Sequence, residues 1–179
     1  MSTWMVVEDE PDIYEVLLAM FEMWGIEGVA FVDGEEALAW IDDVDNGRFR
    51  GELPELALVD IRLPGAVDGA GVGERLRKSP ILGQMSIVLS TAYRLTPEQE
   101  VQMIERAGAD KLMYKPLPKF NELQTLLEEV IAKRHAMIAE KATVKVNDTK
   151  PKTSPSKSTK PKTRTTRTRR TTRTKRTKK

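Results

Sequence analysis

The chain of 179 residues has no cysteine and a single histidine, His135. Without cysteine there are neither disulfides nor thiolate metal sites, and a reducing, cytoplasmic setting is the expectation. One imidazole argues against a histidine-built zinc centre. No apolar run approaches the roughly 20 residues that a membrane span requires. The N-terminus has no basic stretch leading into a long apolar one, so no signal peptide is expected. From Asn147 to Lys179 there is no apolar residue, no aromatic and no glycine. Such a segment cannot offset the entropy lost on ordering, and disorder is expected there.

What is present is unevenly spread. The formal net charge of +2 hides an acidic body joined to a basic tail. Residues 1–140 carry 13 Lys and Arg against 26 Asp and Glu, a net of −13. Residues 141–179 carry 16 against 1, a net of +15.

Along the body, short apolar runs alternate with amphipathic stretches. The runs are Trp4 to Val7, Gly28 to Val32, Leu56 to Val59, Met85 to Leu89 and Lys111 to Tyr114. Between the first two, Ile13, Val16, Leu17, Met20, Phe21 and Trp24 form one helical face, opened by Pro11 and ended by Gly25. A second helix starts at Gly34, with Ala37, Leu38, Ile41 and Val44 inward. A short third spans about Gly71 to Lys78. Thr96-Pro97-Glu98-Gln99 opens the fourth, and Gly108 ends it. The last begins near Lys119, with Phe120, Leu123, Leu126, Leu127, Val130 and Ile131 facing in. Five strands alternating with five helices predict an α/β fold with a parallel sheet covered on both faces.

In a parallel sheet the carboxyl ends of all strands share one edge, where open α/β folds bind ligands. That edge gathers Glu8-Asp9, Asp60, Thr91 and Lys115. Crowded carboxylates repel, so they require a cation or raised pKa values. A hard divalent ion suits oxygen ligands, and Mg²⁺ suits an open site that keeps several waters. It would neutralise an incoming phosphoryl group while one carboxylate attacks. Lys115 supplies a point charge and Thr91 a hydroxyl donor. The constellation reads as a phosphoryl acceptor.

Four motifs carry a family resemblance: Val6-Val7-Glu8-Asp9-Glu10-Pro11, Leu58-Val59-Asp60-Ile61-Arg62-Leu63-Pro64-Gly65, Leu89-Ser90-Thr91-Ala92-Tyr93 and Tyr114-Lys115-Pro116. In order and spacing, over about residues 3–133, the sequence resembles the receiver domain of two-component response regulators, the CheY-like group. The resemblance implies a flavodoxin-like, doubly wound sheet of order 2-1-3-4-5. It implies that Asp60 accepts a phosphoryl group from a sensor histidine kinase or phosphotransfer protein. By the same likeness Asp9 and Asp60 ligate Mg²⁺, Glu8 acts through water, and the Arg62 backbone carbonyl completes the set. Thr91 and Lys115 would hold the phosphoryl group, and the Lys115-Pro116 bond would be cis. The protein is then a phosphoacceptor switch rather than a turnover enzyme.

Two departures stand out. The family commonly has an aromatic three positions before the lysine, where this chain has Leu112. The loop from Asp60 to Gly69 is about one residue longer than is common. Arg62 and Tyr93 occupy the two positions that tune phosphate lifetime in the family. Gly69-Ala70-Gly71-Val72-Gly73 imitates a phosphate loop, but Glu74 follows and no Gly-Lys-Ser/Thr does. Glycines easing a turn and a close helix start are expected instead. A phosphatase with an Asp nucleophile would show Asp-x-Asp near its first strand, which Glu8-Asp9 does not match.

The domain reading is a receiver over 1–133, a helical extension over 134–146 and a disordered basic tail over 147–179. Met137 and Ile138 on the extension have no core left to cover. They read either as a frayed linker or as a face that pairs with another chain, a homodimer included. The tail reads as a polyanion tether: without aromatics it would contact nucleic-acid phosphates non-specifically and salt-sensitively. Free solvation of the tail and folding back onto the acidic body are its rivals. No helix-turn-helix pattern or catalytic output domain follows residue 142. The alternative to a working switch is a nucleic-acid-binding protein whose receiver is degenerate.

Overall fold

In the computed structural model, residues 1–147 are described, with side chains to residue 143. Five strands alternate with five helices: β1 Thr3–Val7, α1 Pro11–Met23, β2 Glu27–Phe31, α2 Gly34–Asp45, β3 Leu56–Asp60, α3 Gly69–Lys78, β4 Ser86–Thr91, α4 Pro97–Ala107, β5 Lys111–Tyr114 and α5 Phe120–Asn147. The sheet is parallel throughout, in the order β2-β1-β3-β4-β5. This is the flavodoxin-like arrangement that the sequence predicts.

Side-chain alternation along the strands builds two cores. Met5, Val7, Ala57, Val59, Ile87 and Leu89 face α2 and α3, meeting Ala37, Ile41, Val72 and Leu76. Trp4, Val6, Leu56, Leu58 and Val88 face α1 and α5, meeting Leu17, Phe21, Leu123 and Leu127. The three inner strands are buried at every position, because helices cover both faces.

Local chemistry sets the helix ends. The Thr96 hydroxyl accepts from the Gln99 backbone N–H while the Gln99 side chain accepts from the Thr96 N–H, a complete capping box before Pro97. Gly108 closes α4 in the left-handed conformation, φ 59°. At the opposite edge from the strands' carboxyl ends, half-buried Arg77 donates to the carbonyls of Gly108 and Met85 and to Asp110. Arg134 of α5 reaches the same Asp110.

Two expectations shift. The third helix begins at Gly69 rather than Gly71, because Asp68 caps it by accepting from the Gly71 N–H at 2.8 Å. Val16 is exposed rather than inward: it lines an open groove with Ile13, Met20, Leu117 and Leu123, so the apolar face of α1 is wider than α5 covers. The last helix runs to Asn147. Of the tail expected over 147–179, everything from residue 148 on lies outside the described residues. No helix among the described residues is long and apolar enough to cross a membrane.

Candidate functional site

The site is assembled from strand ends. Glu8 follows β1, its backbone N–H donating to the Phe31 carbonyl at 3.0 Å. Asp60 and Thr91 are the last residues of β3 and β4, and Asp60 pairs in register with Ser90. Lys115 leaves β5 with its N–H on the Thr91 carbonyl at 2.8 Å, and a cis bond to Pro116 follows. Strand pairing therefore fixes how the four ends stand beside one another. Glu8, Asp60 and Thr91 are buried, whereas Asp9 is exposed.

Glu8, Asp9 and Asp60 each offer a carboxylate oxygen, and these oxygens all lie within 4.8 Å of one another. Lys115 Nζ stands 2.5 Å from Asp60 Oδ2, 2.8 Å from Glu8 Oε2 and 3.8 Å from Glu10 Oε1. Burial pushes the Glu8 carboxyl above its usual range; the Lys115 hydrogen bond opposes this and the Asp60 charge adds to it. Burial works against the Lys115 charge, but hydrogen bonds to Asp60 and Glu8 outweigh it and hold the ammonium protonated. The two shifts share one cause. A single ammonium serves several carboxylates, so the cluster keeps a net negative charge in a poorly hydrated place. A set of hard oxygen donors with surplus negative charge suits a divalent cation.

The loop after Asp60 is tied at several points. The Arg62 N–H donates to Asp60 Oδ1 at 2.9 Å, which orients the carboxylate. Glu35 of α2 accepts from the Ala66 N–H at 2.7 Å, and Asp68 pairs with Arg106 of α4 at 2.7 Å. Gly69 passes so close to β3 that a Cβ there would lie 2.0 Å from the Asp60 carbonyl oxygen. A Cβ at Gly73 would meet Ala107 of α4 at 2.7 Å. The glycine run thus serves close packing. The Arg62 guanidinium lies over the Tyr93 ring, 4.0 Å from its centroid.

Residues 4–128 match the response regulator receiver domain family. The chain belongs to that family. The receiver is 30% identical over 128 residues to a protein from Porphyridium aerugineum named as the probable transcriptional regulator ycf27, covering 71% of this chain and 47% of the relative. The chain therefore spans about half the length of that curated relative. Among solved structures it is similar to a CheY-like receiver domain protein from Methanospirillum hungatei JF-1, at 25% identity and TM-score 0.63, covering 76% of this chain and 98% of the other. It is also similar to the receiver domain of a sensor histidine kinase from Pseudomonas aeruginosa PAO1, at 26% identity and TM-score 0.59, covering 73% and 98%. That structure holds a magnesium ion in its active site cleft.

The receiver brings Glu8, Asp9, Asp60 and Lys115 into one cluster, with Thr91 at the adjoining strand end and Arg62 attached through its backbone. The sequence reading assigned nothing to Glu35 or Arg106, which brace the loop. Their partners stand 31 and 38 residues away in the chain, and no local pattern marks such pairs.

Proposed function

We propose that this receiver is a phosphoryl-accepting switch of a phosphorelay. Asp60 takes its phosphoryl group from the phosphohistidine of a sensor histidine kinase or phosphotransfer protein. An Asp60 carboxylate oxygen forms the new O–P bond as the P–N bond breaks, and the imidazole leaves with the electron pair. The observation that carries this reading is a buried strand-end carboxylate 2.5 Å from a buried ammonium, with two further carboxylates beside it. Glu8, Asp9, Asp60 and the Arg62 carbonyl are the residues to hold Mg²⁺. When bound, the ion supplies charge that neutralises the phosphoryl oxygens. Lys115 exchanges its contact with Asp60 for one with the phosphoryl group, and Thr91 donates its hydroxyl proton to the same group.

The test is incubation with acetyl phosphate and Mg²⁺. Wild type is expected to take up at most one phosphoryl group per chain without turning over further donor, and Asp60→Ala none. Equal absence of label from both proteins overturns the reading. The clustering of Glu8, Asp9, Asp60 and Lys115 supports this reading over the rival of a degenerate receiver.

In this account residues 1–133 are the receiver, 134–146 a helical extension and 147–179 a basic tail, in a cytoplasmic protein that acts by protein contact. The charge of 147–179 supports a tether to nucleic acid or another polyanion, through phosphates alone. DNA binding should fall steeply with salt and vanish when residues 143–179 are removed; affinity unchanged by the deletion counts against it. Exposed Met137 on the extension supports pairing with a second chain, which sizing before and after phosphorylation tests.

A further inference from the structure

The loop that carries the Arg62 carbonyl is anchored at both ends. At its start the Arg62 N–H is held by Asp60, and the Leu63 side chain packs against the α2 and α3 core. At its end the Gly69 N–H donates to the Ile61 carbonyl at 2.9 Å, which returns the chain to the end of β3. Between these points Pro64, Gly65 and Ala66 are exposed, and Gly65 turns in the left-handed region, φ 89°. The tie to this exposed stretch comes from α2. Glu35 accepts from the Ala66 N–H at 2.7 Å. A Cβ at Gly65 would lie 2.5 Å from Glu35 Oε1, so the glycine both makes the turn and leaves room for the carboxylate.

α2 presents Glu35 from a fixed base. Asp33 caps the helix by accepting from the Glu36 N–H at 2.7 Å, and Glu36 accepts from the Val32 N–H at 3.2 Å. Gly34 is buried against the loop, where a Cβ would press on the Val67 carbonyl. Val67 packs against the same core as Leu63. A shift of 64–66 therefore meets packed chain on one side and passes to Leu63 and the Arg62 carbonyl on the other.

The firmness of a ligand's placement decides which ion it suits. Mg²⁺ demands near-ideal octahedral geometry at about 2.0–2.1 Å, whereas Ca²⁺ accepts oxygens at about 2.3–2.6 Å in flexible arrangements. A rigidly held carbonyl favours the smaller ion, and a loosened one backs away to suit the larger.

We propose that Glu35 is a positioning residue that favours Mg²⁺ over Ca²⁺ at the Asp60 site by clamping the loop that carries the Arg62 carbonyl, a role that rests on the phosphoacceptor reading and on that carbonyl as a ligand. Glu35 stands outside the cluster of Glu8, Asp9 and Asp60 and acts through the Ala66 amide.

The test is titration of the full chain with MgCl₂ and, separately, CaCl₂, with affinity read from the rise in melting temperature and amide exchange followed at Ala66. Wild type should bind Mg²⁺ more tightly than Ca²⁺, and Asp60→Ala should lose most of both responses. Glu35→Ala should speed Ala66 exchange by about fivefold, which is what one net hydrogen bond is worth, and weaken Mg²⁺ binding by about as much. Its Ca²⁺ affinity should stay at the wild-type value. Glu35→Gln keeps an acceptor and should remain within about twofold of wild type for both ions. Both variants lose the same charge from the first turn of α2, so the comparison between them isolates the hydrogen bond. Unchanged Ala66 exchange in Glu35→Ala, unchanged Mg²⁺ affinity, or an equal loss of Mg²⁺ and Ca²⁺ affinity overturns the clamp. So does a loss in Glu35→Gln as large as that in Glu35→Ala. A wild-type chain that gains no stability from Mg²⁺, or an Asp60→Ala chain that gains as much, overturns the cation reading of the site itself.

Discussion

Replacing Lys115 by Met keeps most of the aliphatic stem and deletes the ammonium that, among the described residues, pairs with both Glu8 and Asp60. The side chains of Lys115, Glu8 and Asp60 are 9%, 3% and 7% exposed, so solvent does little to screen what remains. Breaking a buried ion pair from one side costs about 3–5 kcal/mol, chiefly through the charge left behind. For a domain of this size that lowers Tm by about 6–20 °C. Two conditions should return much of the loss. Saturating Mg²⁺ at a hundredfold excess over its Kd adds about 2.7 kcal/mol by linkage. Acidification helps as well, and its sign follows from Glu8. Its folded pKa lies above the ordinary value, so the ionised carboxylate costs stability at neutral pH, and that cost is relieved as pH falls through the folded pKa. Removing Lys115 removes an influence that lowers this pKa, so relief begins at higher pH in the variant. Urea unfolding in EDTA and in Mg²⁺, at pH 7 and pH 5, measures all of this. A Lys115→Met protein with the wild-type urea midpoint in EDTA at pH 7 would refute the picture of a site short of positive charge.

Other perturbations probe the scaffold around the site. Gly69→Ala puts a methyl 2.0 Å from the Asp60 carbonyl oxygen, where only backbone can give way. It should cost about 3 kcal/mol or more and slow phosphoryl uptake, read by urea melts and by label incorporation. Asp45 is pushed up by burial, but the Ser79 hydroxyl and the Arg75 guanidinium outweigh this and hold its carboxyl below the ordinary 3.8. Its stabilisation is thus present above the unfolded pKa and lost as pH falls through the folded one. Asp45→Asn should lower stability at pH 7 by about 1–3 kcal/mol, and the difference from wild type should fade below pH 3.8. A gap that stays constant with pH would mean the carboxylate charge contributes nothing.

The strand ends were legible because each apolar run stops at a polar residue, and a parallel sheet must align those ends. α4 was equally legible, since Thr96, Pro97, Gln99 and Gly108 are the residues its termini require. α5 was legible where Leu123, Leu127, Val130 and Ile131 recur at helical spacing, whereas its end was not marked, because Thr143, Val144 and Val146 have low intrinsic helix preference. Val16 misled because periodicity gives the width of an apolar face, not the width of what covers it. The bracing of the Asp60 loop by Glu35 and Arg106 had no signature, because charged side chains on helix surfaces look alike until the fold sets their neighbours.

The central claim is that Asp60 is the residue that carries the phosphoryl group. Peptide mapping of the wild-type chain after acetyl phosphate and Mg²⁺ treatment measures it most directly. The account predicts one label, dependent on Mg²⁺, on the peptide containing Asp60, and none anywhere in Asp60→Ala. Label on another residue, or label that survives in Asp60→Ala, would contradict it.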